Sequence, residues 1–96
     1  MINNFYKTRL VYKALDLISA ARHTMKRDLV AYSNDPVRFA RRLRMLTNLA
    51  EYEFNLLTKI RNFESDDPTD LLKVDSEPDA LNFISAEIQA IIDTNA

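Results

Sequence analysis

The tetrapeptide SNDP at residues 33–36 decides how this chain folds, because it separates two long segments of helical periodicity. Asp35 is suited to cap the free backbone N–H groups of a helix, and Pro36 suits the first helical position, where no backbone N–H is needed. A helix that ends near Tyr32 is therefore followed at once by a helix that begins at Pro36. Two long helices joined by so short a loop should form an antiparallel hairpin.

Apolar residues on both sides of this turn recur at spacings of three and four, which is typical of amphipathic helices. Helix 1 is expected over residues 4–31, with Asn4 as its N-cap, and helix 2 over residues 36–62. The expected core stripe of helix 1 is Val11, Ala14, Leu15, Ile18, Ala21, Met25 and Leu29. The expected core stripe of helix 2 is Phe39, Leu43, Leu46, Ala50, Phe54, Leu57 and Ile60.

Some large apolar residues fall partly outside these stripes, namely Phe5, Tyr6, Tyr12, Leu49, Tyr52, Leu56 and Phe63. The wide apolar faces of a small bundle would account for each of them singly. As a set, they leave more apolar surface than a chain of 96 residues comfortably hides, which indicates a partner or self-association.

The remaining third of the chain begins with an acidic connector over residues 63–76, which contains ESDDPTDLL at 64–72. Asp67 and Pro68 resemble a helix start, and DLLKVD leaves room for one or two turns. Ser76 begins a second start signal, S-x-x-D, so a C-terminal helix is expected over residues 77–93. This amphipathic helix should cross one side of the hairpin. The sequence thus predicts an all-α fold, a small helical bundle that forms one domain over residues 1–96.

The composition supports a helical protein, since the chain contains no glycine where about seven would be usual. A phosphate-binding glycine loop, a dinucleotide fingerprint and most tight hairpin turns are therefore excluded. The absence of cysteine excludes disulfides and thiolate metal sites. Charges in the first dozen residues argue against a signal peptide, and no apolar run is long enough to span a membrane. We expect a soluble cytosolic protein.

The sequence offers no constellation typical of catalysis. The lone histidine, His23, lies among Arg22, Lys26 and Arg27 without a second metal ligand at helical spacing except Asp28. Single carboxylates such as Asp16 do not form a Glu-x-x-His pattern, and a nucleophile elbow needs glycine. We therefore expect no enzyme activity, no metal and no cofactor.

The charges of the chain are strongly divided between its two parts. Residues 1–63 hold 12 Lys and Arg against five Asp and Glu, a net charge of +7, whereas residues 64–96 carry −8. A hairpin brings together, at its tip, the cations Arg22, Lys26, Arg27, Arg38, Arg41, Arg42 and Arg44. This tip is either a solvated surface, partly paired with the acidic third, or a binding site for an acidic protein or for phosphates. The acidic third could in turn mimic DNA.

The small, glycine-free and cysteine-free helical chain with divided charge and an acidic proline segment resembles the anti-RecBCD accessory proteins of lambdoid Salmonella phages. The resemblance extends over the whole chain and rests on no diagnostic motif. It implies a phage protein of the host cytoplasm that binds the RecC side of the host nuclease RecBCD and inhibits or modulates it. A host peptidyl-prolyl isomerase is implied as a further partner.

Candidate site residues lie at two places, the first implied by this resemblance and the second by the charge pattern of the hairpin tip. Among the three X-Pro pairs, Asp67–Pro68 stands in the longest stretch without periodicity, so it is the candidate isomerase segment. The candidate residues for binding the enzyme, or nucleic acid, are Arg38, Arg41, Arg42 and Arg44. The alternative function is that of a small DNA-binding or DNA-packaging accessory protein that uses the same arginines.

Overall fold

The computed structural model describes residues 4–95, which form four helices and no strand. They are α1 (Asn4–Ala31), α2 (Pro36–Asn62), α3 (Pro68–Leu72) and α4 (Glu77–Thr94). α1 and α2 form the long hairpin, and α4 packs against both of them. The predicted all-α fold, with a hairpin and a shorter C-terminal helix, is confirmed. No helix within residues 4–95 is long and apolar enough to cross a lipid bilayer.

The helix starts that the sequence indicated depend on capping side chains. Asp35 accepts a hydrogen bond from the backbone N–H of Arg38 at 3.2 Å, with Pro36 in the first position of α2. Ser76 caps α4 in the same way through the N–H of Asp79, at 3.3 Å. α1 already includes Asn4, and the cap expected there lies outside the described side chains.

The end of α3 shows how a chain without glycine makes a tight turn. Lys73, the residue after α3, has φ 57° and ψ 44°, the left-handed conformation that glycine usually supplies. Its N–H donates to Asp70 O at 3.3 Å, and the N–H of Val74 donates to Thr69 O at 3.0 Å. These bonds satisfy the last carbonyl groups of α3 and turn the chain toward α4, at a conformational cost of about 1–2 kcal/mol for the left-handed residue.

One hydrophobic core joins all four helices. Its buried side chains are Leu10, Ala14, Ile18, Met25, Met45, Leu49, Leu56, Ile60, Leu72, Ala80, Ile84 and Ile88. In α1 the predicted Ala14, Ile18 and Met25 belong to this core, whereas Leu15 and Leu29 are only partly buried. Leu10 is fully buried although it was not predicted.

The predicted core stripe of α2 is wrong for most of its residues, although Ile60 is buried and Leu46 is partly buried against the core. Leu49 and Leu56, which seemed to lie outside the register, are buried, while Phe54 is 70% exposed and Leu43 48% exposed. Ala50 is also exposed. Two apolar stripes run side by side along α2, and periodicity alone does not show which of them is covered. α4 packs on the side of α2 that carries Leu49, so this stripe is the one that is buried.

This register predicts a clear difference between two substitutions in α2. Leu49→Ala should lower the free energy of unfolding by about 2–5 kcal/mol, because it leaves a cavity in the core. Val37→Ala, at a side chain that is 60% exposed, should change it by no more than about 0.5 kcal/mol. Urea denaturation followed by circular dichroism measures both values. Equal effects would contradict the register.

Candidate partner-binding surfaces

The basic residues of α1 and α2 meet at the hairpin tip, as the sequence predicted, but several are already paired. Arg22 forms an ion pair with Glu53, and Nε of Arg42 lies 3.6 Å from a carboxylate oxygen of Asp28. Arg38 lies 3.6 Å from its own capping residue, Asp35. Among residues 4–95, Arg41 and Arg44 form no ion pair. Lys26 and Arg27 are likewise exposed and form no ion pair within residues 4–95, so these four cations of the tip are the most available to a partner.

Two arginines of the tip lie close to the ring of Tyr32. The guanidinium carbons of Arg38 and Arg42 lie 5.3 Å and 5.5 Å from the centre of its ring, within the range of cation–π attraction. A small concavity is lined by Tyr32, Arg38, Arg41 and Arg42. The ring of Tyr32 is therefore in contact with two arginines of the tip. Phe39, the other aromatic near the tip, is half-buried.

The acidic residues of the segment 64–79 lie at the open end of the hairpin, away from the tip. Glu77 forms ion pairs with Arg9 and Lys13 of α1, so the acidic third contacts the hairpin near its open end. The molecule is a rod with a longest extent of 52 Å. The tip is therefore basic, whereas the acidic cluster at the open end is largely balanced by the cations around it, which are Lys7, Arg9, Lys13, Lys59, Arg61 and Lys73. This acidic cluster comprises Glu64, Asp66, Asp67, Asp70, Asp75 and Asp79.

The contact of Glu77 with α1 was missed in the sequence, although a signal for it exists. Arg9 and Lys13 are four residues apart, so both lie on one side of α1 and reach the same carboxylate. Nζ of Lys13 lies 2.6 Å from Oε1, and Nε of Arg9 lies 2.8 Å from Oε2. Hydrogen bonds from Lys13 and then Arg9 lower the pKa of the Glu77 carboxyl group below its ordinary value.

Two further hydrogen bonds join the helices. One links α2 to α4, and the other links α1 to the residue that follows α2. The hydroxyl of Tyr52 donates to Glu87 of α4 at 3.0 Å. Burial, followed by the neighbouring charge of Glu87, raises the pKa of Tyr52, so this phenol stays protonated well above the pH at which a free tyrosine ionises. At the open end of the hairpin, Lys7 donates to the carbonyl oxygen of Phe63.

The predicted isomerase segment is folded into the bundle. Pro68 is the first residue of α3 and is buried, as are Thr69 and Leu72. The carboxylate of Asp67 accepts hydrogen bonds from the backbone N–H and the hydroxyl of Thr69, at 3.0 Å and 2.8 Å. The peptide bond before Pro68 is trans. Pro68 therefore starts the short helix that the sequence indicated and is fixed against the core rather than exposed in the connector.

The described residues contain no cluster of side chains that could hold a metal ion. His23 lies exposed on α1. Within residues 4–95, no group of three or more His, Asp and Glu side chains is close enough to hold a metal ion.

The Glu77 ion pairs predict how stability depends on pH. Because the folded protein lowers the Glu77 pKa, its stabilisation is present above the ordinary glutamate pKa of about 4.3 and is lost as the pH falls through the lowered pKa. Glu77→Gln should therefore be less stable at neutral pH, by up to about 1 kcal/mol, and should show a weaker loss in acid. Denaturation curves at several pH values measure this.

The matched control for this experiment is Glu64→Gln, which removes an exposed carboxylate of the same type. Its curve should follow that of the original chain. High salt should reduce the difference between the Glu77 variant and the original chain, because water and ions reach Arg9 and Lys13. An identical acid response of all three proteins would contradict the role of Glu77.

No known family model, curated protein or solved structure matches this chain. A functional proposal therefore rests on the surfaces of the chain itself and on the resemblance described above. The predicted site residues lie on two surfaces, the arginine tip and the segment around α3 with its acidic cluster.

Proposed function

We propose that this chain is a non-catalytic phage protein that acts in the host cytoplasm by binding the nuclease RecBCD on its RecC side. Binding would inhibit the enzyme or modulate its nuclease activity and its response to Chi. The proposal rests on the whole-chain resemblance to anti-RecBCD accessory proteins. The observation that favours a binding protein is the arginine tip, where Arg41 and Arg44 are exposed beside an ordered cluster.

The tip has properties that suit a protein interface. Arginine is enriched among the residues that carry most of the binding energy in such interfaces. Arg38 and Arg42 are held against Tyr32, so less side-chain freedom is lost when a partner binds. The rigid hairpin presents this cluster at one end of a long rod, where it can reach into a cleft.

Paired substitutions of the available arginines test the proposal. Arg41→Ala with Arg44→Ala should weaken binding to purified RecBCD at least about tenfold, since interface arginines commonly contribute this much. The matched control is Lys59→Ala with Arg61→Ala, which removes the same charge from exposed positions far from the tip. Surface plasmon resonance measures the affinities, and a nuclease assay measures inhibition. If RecBCD does not bind the unaltered chain, the proposal fails.

We extend the proposal to a host peptidyl-prolyl isomerase that binds at Asp67–Pro68. Because Pro68 is buried at the start of α3, an isomerase reaches it only after α3 opens. A helix of five residues has little stability of its own and depends on its packing, here through Leu72. Local opening of so small a unit costs less free energy than unfolding of the bundle.

This requirement predicts opposite effects of two substitutions. Leu72→Ala should increase isomerase binding several-fold, because it removes the side chain that anchors α3 in the core. Pro68→Ala should abolish binding, whereas Pro36→Ala, at the start of α2, should leave it unchanged. Isothermal titration with a purified host isomerase provides the measurement. Persistent binding by Pro68→Ala would show that the segment is only a connector.

The second candidate function is that of a small DNA-binding or DNA-packaging accessory protein. It is favoured by the basic concavity formed by Tyr32, Arg38, Arg41 and Arg42, which is of a kind that phosphate groups occupy. In this case the chain alone should bind duplex DNA, and the logarithm of its affinity should fall linearly with the logarithm of salt concentration. Arg41→Ala with Arg42→Ala should then abolish binding. No binding at low salt would exclude this function.

A further inference from the structure

The side of the hairpin opposite α4 carries an apolar surface that no helix in the described part of the chain covers. A groove between α1 and α2 lies on this side, and its lining residues all belong to these two helices. We name this surface the open face and define it by Val11, Tyr12, Leu15, Leu43, Ala50, Phe54 and Leu57. Its aromatic side chains are largely exposed, Tyr12 at 67% and Phe54 at 70%. A contiguous strip of such side chains is typical of an interaction site.

The two helices contribute different residues to the open face as it runs toward the tip. α2 stays apolar through Phe54, Ala50 and Leu43. α1 changes in character after Leu15, because residues three or four positions apart share one side of a helix. Its continuation on this side is Ser19, Arg22, His23 and Lys26. In the half of the face near the tip, an apolar ridge on α2 therefore lies beside a basic ridge on α1.

Cations without an ion pair stand at both ends of the open face. Lys7 and Arg61 line the groove near the open end of the hairpin. Lys26 lies exposed at the end near the tip. Val11 and Lys26 are fifteen positions apart, so the face extends about 22 Å along α1. A helix of about 15 residues is long enough to reach from one end to the other.

The two carboxylates nearest to the open face leave this positive charge in place. Glu53 forms an ion pair with Arg22, so their two charges balance. Asp16 follows Leu15 on α1 and is therefore rotated by about 100° around the helix axis, toward the side away from α2. The open face thus combines apolar side chains with a net positive charge.

The hairpin already holds one helix of complementary character on its covered side, namely α4. This helix contains four carboxylates and no Lys or Arg. Its side chains Ile84 and Ile88 are buried in the core, and Glu77 at its start forms ion pairs with Arg9 and Lys13 of α1. An apolar stripe packed on the hairpin, with a carboxylate on neighbouring cations, is therefore the way in which α1 and α2 bind a helix.

We propose that the open face binds an acidic amphipathic helix of a partner protein. The apolar side of that helix packs in the groove and on Phe54 and Leu57, and its carboxylates contact Lys26 at one end and Lys7 and Arg61 at the other. Recognition of a helix in a groove uses apolar residues at spacings of three and four, and charge complementarity selects an acidic helix over a basic one. The proposal concerns the surface of the chain alone and is independent of the proposed host target.

Two synthetic peptides of about 18 residues, about 27 Å long as helices, test the proposal. Both carry leucine along one helical side, and their polar positions hold glutamate and glutamine in one peptide and lysine and glutamine in the other. The acidic peptide should bind the chain with a dissociation constant below about 100 µM and become helical, whereas the basic peptide should bind at least about tenfold more weakly. Isothermal titration measures the affinities, and circular dichroism measures the helicity.

A substitution on the open face locates the bound peptide. Phe54→Glu should weaken binding of the acidic peptide at least about tenfold, because it removes an apolar contact and adds a repelling charge. The matched control Val37→Glu replaces an exposed residue on another side of α2 and should leave the affinity unchanged. Circular dichroism of the unbound variants should show unchanged helicity, since both residues are exposed.

Charge reversal tests the electrostatic part of the proposal separately. Lys26→Glu with Arg61→Glu should weaken binding of the acidic peptide at least about tenfold and strengthen binding of the basic peptide. The control Arg27→Glu with Lys59→Glu makes the same change of charge at exposed positions outside the open face. Its affinities for both peptides should stay within about twofold of those of the original chain at 0.15 M salt, where exposed charges are screened beyond about 8 Å.

The proposal is overturned if the acidic peptide does not bind at about 100 µM, or if the two peptides bind equally well. Binding that persists unchanged in Phe54→Glu would place the site elsewhere on the chain. Without peptide binding, two further measurements assign the face to another occupant. Sedimentation with phosphatidylglycerol vesicles would assign it to an anionic membrane, and a dimer mass that is lost in Phe54→Glu would assign it to a second copy of the chain.

Discussion

The packing of α4 against one side of the hairpin is the contact on which the rest of the structure depends. α2 is apolar over two adjacent sides, and either could have formed the core. Ile84 and Ile88 of α4 are buried in a cluster with Leu49 and Leu56 of α2, and this selects the inner side. The same contact leaves Phe54 exposed on the other apolar side. One helix therefore determines both the core and the surface that remains for a partner.

This long-range contact separates the features of the fold that could be predicted from the sequence from those that could not. Caps such as Asp35 and Ser76 act within a few residues, so the sequence located the starts of α2 and α4. The core register of α2 could not be predicted, because it depends on a helix about 30 residues further along the chain. The burial of Pro68 could not be predicted for a similar reason. Its neighbours are polar and show no helical periodicity in the sequence, but Leu72 packs in the core, and Pro68 is buried with it.

The candidate sites show the same limit. Helical spacing and the short turn were enough to bring the arginines together at the tip. Which of them are available depends on partners such as Asp28 and Glu53, which stand on the neighbouring helix. The pairing of Glu77 with Arg9 likewise joins residues 68 positions apart. Long-range ion pairs of this kind need a structure, since a charge pattern shows only that both signs are present.

The separation of charge along a 52 Å rod has a consequence for the way the molecule approaches any charged surface. The net charge is only −1, so the chain as a whole is weakly attracted or repelled. The tip, residues 22–44, nevertheless carries +5 and the rest of the chain −6, so a charged surface acts on them in opposite directions and the resulting torque rotates the rod before contact is made. The end that arrives first is then set by the sign of the surface. Such orientation raises the fraction of productive encounters and is lost as salt screens the field over about 10 Å at 0.1 M.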